Sequence, residues 1–81
     1  MTETLRQKIL DPMNRATKTM LHLDNPALAV KWEANSHLNE EVGRIMNAGE
    51  PLPDETGMNT LYQEIIDVIC ERDGIKKEDL Q

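Results

Sequence analysis

The sequence predicts a single all-α domain, a small bundle of three or four helices. Three observations carry this expectation. Apolar residues recur at gaps of three and four in three separate stretches, the period of a helix with one buried face. Helix start signals precede them, cleanest at Asn25-Pro26. Glycines stand where helices should stop, at Gly49 and Gly74. A chain of 81 residues has room for one core.

The first stripe is Leu5, Ile9, Met13, Ala16, Met20 and Leu23. Pro12 interrupts it without changing its phase. Asp11-Pro12 reads as an N-cap followed by the first position of a new helix. A short helix is therefore expected over 4–10, opened by a Thr4–Gln7 capping box. A second is expected over 12–23, coaxial with the first or kinked against it at the proline.

Asn25-Pro26 opens what should be the longest helix, over 26–48, closed by Gly49. Ala27, Ala34, Leu38, Val42 and Ile45 form its apolar face, with Val30 on one flank and Leu28 and Met46 on the other. Residues 50–57, Glu-Pro-Leu-Pro-Asp-Glu-Thr-Gly, form the linker, stiffened by two prolines and given a free φ by Gly57.

The last long helix is expected over 58–72, although Pro53-Asp54-Glu55 would also suit an earlier first turn. Met58, Leu61, Tyr62, Ile65, Ile66, Val68 and Ile69 cover roughly 180–200° of its circumference. Such an arc suits a central helix packed on two sides. Asp73-Gly74 ends it, and Ile75 and Leu80 bracket a terminal turn.

Composition narrows the function. Five Met, one Trp, one Tyr and no Phe make an adaptable core. The single cysteine, Cys70, excludes an intrachain disulfide and points to a reducing compartment. The polar opening and the lack of a run of ~20 apolar residues predict a cytoplasmic protein with no membrane segment. Net charge −6 opposes general adhesion to nucleic acid. That charge is divided by position. Residues 1–31 carry five Lys/Arg against three Asp/Glu, and residues 32–81 carry four against twelve. Such a division can hold one half against the other or steer a partner to one end.

No motif announces catalysis. There is no His-x-x-x-His, Cys-x-x-Cys, glycine-rich phosphate loop or nucleophile elbow, so neither cofactor nor metal is expected. His37 is expected to form an intrahelical hydrogen bond with Glu40 or Glu41, three and four residues on, and is read as structural, and so is His22. Cys70 is read as a small core residue. Glu64, Asp67 and Glu71 share one side of the last helix and are read as a solvated face rather than a cation site.

Two positions suggest contact with a partner. Trp32 stands off the apolar face of its helix, with Leu28 and Asn35 on the same side, and Trp is enriched at interfaces. Arg15 and Lys18, together with Lys8 and His22, would share one side of the N-terminal helices. The favoured expectation is a non-enzymatic accessory or regulatory protein. It would dock through Leu28, Trp32, Arg15 and Lys18 on a larger protein or on a second copy. The alternative is a nucleic-acid accessory module contacting phosphates through Arg6, Lys8, Arg15 and Lys18.

Overall fold

The computed structural model describes residues 1–11, 13 and 25–80, and among these the only regular structure is helical. The expected helix over 12–23, the Pro12 junction, and Arg15, Lys18 and His22 lie outside the described residues. Helix α1 spans Glu3–Leu10, α2 spans Pro26–Asn47, and α3 spans Glu55–Asp73. A 3₁₀ turn at Lys77–Leu80 follows.

Each helix is set by its ends. The α1 N-cap is Thr2, whose hydroxyl accepts from the Leu5 amide at 3.2 Å. The expected Thr4–Gln7 box therefore does not form. Gln7 instead donates to Glu3 one turn back at 2.8 Å. Asn25 caps α2 as expected, accepting from the Leu28 amide at 3.1 Å ahead of Pro26. The start of α3 is a correction. It begins at Glu55 rather than at residue 58, because the Asp54 carboxylate accepts from the Gly57 amide at 2.7 Å. An acidic cap and an acidic first turn suit the positive end of the helix dipole. Gly57 consequently sits inside the first turn without a positive φ. Its missing side chain leaves room for Pro53, whose Cβ would stand 2.9 Å from an added one.

Both long helices end the same way. Gly49 and Gly74 take positive φ, 71° and 68°. The amide beyond each glycine reaches back into the last turn, Glu50 to the Ile45 carbonyl at 3.1 Å and Ile75 to the Cys70 carbonyl at 3.0 Å. This is the Schellman closure, and it requires a left-handed residue that glycine supplies without steric cost.

Helix α3 is central and packs against both α1 and α2, as its wide apolar arc requires. Ile65, Ile66, Val68, Ile69 and Cys70 are buried with Leu5 and Ile9 of α1 and Val30 and Ala34 of α2. Leu38, Leu61, Tyr62, Ile75 and Leu80 close over this cluster. No helix among the described residues is long and apolar enough to cross a membrane.

Candidate functional site

Arg72 lies in the last turn of α3, where its side chain is only 5% exposed. A guanidinium carries five N–H donors and no acceptor. Here all five are used. Nη1 donates to Glu33 Oε2 at 2.7 Å and to the Ile9 carbonyl at 3.0 Å. Nη2 donates to Glu33 Oε1 at 2.8 Å and to Asp73 Oδ2 at 2.9 Å, and Nε donates to Asp73 Oδ1 at 2.9 Å. The Ile9 carbonyl belongs to the last turn of α1, where helix geometry leaves carbonyls without partners. One side chain thus caps α1, grips α2 through a bidentate carboxylate and closes α3.

Glu33 is 2% exposed. It also accepts from His37 Nε2 at 3.0 Å, one turn along α2. An ionised carboxylate only accepts, so the His37 proton at this contact is on Nε2. The expectation that His37 pairs with Glu40 or Glu41 is corrected: its partner is Glu33, on the preceding turn. Glu41 pairs with Arg44 at 2.6 Å instead. Burial pushes the Glu33 carboxyl up, but hydrogen bonds from Arg72 and His37 outweigh it and bring its pKa down to about 2. Arg72 is raised by its bonds to Glu33 and Asp73 and stays charged.

This shift predicts an acid sensitivity. The native carboxyl holds its proton less tightly than a free one at 4.5. Its contribution is therefore present above that value and is lost as pH falls toward about 2. Unfolding free energy measured by urea titration should fall by about 3 kcal/mol over this window from Glu33 alone. Glu33→Gln should flatten that slope. An unchanged slope would show that Glu33 is not ionised in the fold.

The cluster has no vacant donor for a ligand. It binds the helices to one another and fixes the orientation of α2. The apolar face expected for α2 was Ala27, Ala34, Leu38, Val42 and Ile45. The buried residues are Val30, Glu33, Ala34, His37, Glu41 and Ile45. At ~100° per residue the helix is turned by roughly 60° from that expectation. Three polar side chains face inward, and apolar ones are turned out. Leu28 and Trp32 are each 45% exposed and Met46 is 63% exposed. Asn35 and Asn39 are also exposed, while Val42, Ala29, Ser36 and Gly43 are half-buried. These nine residues form a strip without charge on the outer side of α2, bordered by the exposed Lys31 and Glu40.

The charge division resolves into ion pairs between the two halves. Arg6 pairs with Glu71 at 3.1 Å and Lys8 with Glu40 at 2.6 Å. Glu64 pairs with the α-amino group of Met1 at 2.8 Å, while Asp67 pairs with Lys77 at 2.6 Å within the acidic half. Glu64, Asp67 and Glu71 are therefore each engaged separately. Among the described residues, no three His, Cys, Asp or Glu side chains are placed to share a metal. An open groove of about 440 Å³ lies between the start of α1 and the second half of α2. Its rim cations, Lys8 and Arg44, are held by Glu40 and Glu41. Cys70 is buried, and burial, reinforced by Asp67, pushes its thiol up, the opposite of a reactive thiolate.

No protein-family model, curated protein or solved structure matches the chain. Among the described residues, the outer side of α2 brings the exposed Leu28, Trp32 and Met46 onto one helix. Leu28 and Trp32 were singled out in the sequence. Met46 and Val42 were placed on or beside the buried face, and Glu33 and Arg72 were missed. The only sequence signal for that pair is the Glu33/His37 spacing of four, which isolated helices also show on solvent faces.

Proposed function

We propose that this protein is a cytoplasmic accessory or regulatory protein that acts by binding a protein surface through the outer side of α2, without chemistry of its own. One observation carries this reading. The longest helix turns Glu33 and Glu41 inward and leaves Leu28, Trp32 and Met46 exposed on its outer side. In a chain with 30% charged residues, three large apolar side chains exposed on one side of a helix are unusual. The lone, buried Cys70 supports the reducing compartment. Contact with nucleic acid has less support, since Arg6 and Lys8 are engaged by the protein's own carboxylates.

Trp32→Ala and Leu28→Ala test the reading. Both should keep the wild-type helical circular dichroism while losing most of the association seen by sedimentation or by capture from native lysate. Retention of all wild-type associations by both variants would overturn it. Submicromolar nucleic-acid binding, abolished by Arg15→Glu with Lys18→Glu, would move the function to the basic segment.

A further inference from the structure

Asp73 and Gly74, at the end of α3, are the one place in the chain where an Asp or Asn precedes a glycine. Such a junction can rearrange its own backbone. Glycine has no Cβ to shield its nitrogen. The Gly74 nitrogen can therefore bond to Cγ of a neutral Asp73 carboxyl and close a cyclic imide. The Cγ–OH bond breaks, and the hydroxyl leaves with the amide hydrogen as water. Water then adds back. Attack at Cγ restores aspartate. Attack at the main-chain carbonyl carbon of Asp73 breaks its bond to nitrogen and leaves the chain running through Cβ and Cγ, an isoaspartyl link. One water leaves and one returns, and no oxidant or cofactor takes part.

The fold both imposes this pair and guards it. Gly74 is required by the positive φ of 68° that closes α3. Asp73 is required by Arg72, whose Nε and Nη2 each hold one carboxylate oxygen at 2.9 Å. A carboxylate held in this way is ionised and has no hydroxyl to lose. The attacking nitrogen is held as well. The Gly74 N–H donates to the Cys70 carbonyl, a bond that ring closure must break. Water is at hand, since Gly74 is exposed and the Asp73 side chain is 18% exposed. What restrains the junction is therefore its bonding, not its burial.

We propose that Asp73–Gly74 is a latent site of spontaneous isoaspartate formation, and that the Arg72 fork on Asp73 keeps it closed in the folded chain. Helix ends open at little cost compared with the whole fold. Each opening that frees the carboxyl from Arg72 exposes the site. The product cannot refill its place. One added backbone carbon displaces the Gly74 and Ile75 amides from the Cys70 carbonyl, and the carboxylate, now on Cα, leaves the guanidinium. Chains that have opened here are marked irreversibly and lose the closure of α3. This inference is independent of the outer side of α2.

The test incubates wild-type protein at neutral pH, folded in buffer and unfolded in urea. Isoaspartate at residue 73 is read by electron-transfer fragmentation of the peptide that carries it, and by methyl transfer from S-adenosylmethionine with an isoaspartyl methyltransferase. The folded chain should gain isoaspartate at least about tenfold more slowly than the unfolded one. Equal rates would overturn the guard, and no isoaspartate at residue 73 in urea would overturn the site. The part of Arg72 is read from Arg72→Met with Glu33→Leu, which leaves no buried charge unpaired. Arg72→Lys is the second variant, since its ammonium keeps the charge opposite Glu33 but lacks the fork that holds two oxygens. Circular dichroism gives the unfolded fraction of each variant, and that fraction sets the rate expected through global unfolding. Both variants should exceed this rate severalfold. A folded variant that isomerises no faster than its unfolded fraction allows would overturn the assignment to Arg72 and leave the protection with the helix closure.

Discussion

Arg72→Met should destabilise the protein by about 3–5 kcal/mol, the usual result of removing one partner from a buried ion pair. The loss arises less from the missing attraction than from what remains. Glu33, 2% exposed, would keep its charge with only His37 as a partner. The Ile9 carbonyl and the Asp73 carboxylate would each lose a donor. Domains of this size are stable by roughly 5–15 kcal/mol, so the variant should unfold at much lower urea or temperature. Arg72→Met combined with Glu33→Leu should recover a large part of the loss, because an apolar pair leaves no buried charge. Urea titrations followed by circular dichroism supply both numbers. A single-variant cost below about 1 kcal/mol would show that the pair is solvated and does not hold α2.

Ile65→Ala should cost about 2–4 kcal/mol by the same measurement, through lost burial and the cavity left behind. Ile65 is fully buried on the central helix and belongs to the cluster that joins α1, α2 and α3. A cost below about 0.5 kcal/mol, the range of ordinary surface substitutions, would contradict the central place of α3.

The two variants mark the boundary between what could be read in the chain and what could not. Ile65 was legible because α3 has apolar residues on one broad arc, with the polar Asn59, Thr60, Gln63, Glu64, Asp67 and Glu71 outside it. One orientation buries that arc, so local pattern and tertiary packing agree. The caps at Asn25, Gly49 and Gly74 were legible for a similar reason. Backbone groups at a helix end need partners wherever the helix sits. The start of α3 was harder. Both Asp54 and the turn near residue 58 offered a plausible first turn, and the Asp54 carboxylate decided between them.

By itself, then, the sequence determined the helical class, the two long helices, most of their ends and the buried side of α3. The rotation of α2 was decided only in the tertiary structure. At ~100° per residue Leu28, Trp32, Leu38, Val42 and Met46 fall within about 120° of one another and only Val30 stands opposite, so apolar burial alone would have favoured a different face from the one that is buried. The choice came from Arg72, 39 residues away from Glu33 in the chain. An arginine buried at the end of α3 needs a carboxylate opposite it, since an unpaired charge there would cost far more than exposing a few apolar side chains. Glu33 and His37 turned inward to meet that need, and the same turn carried Leu28, Trp32 and Met46 to the surface.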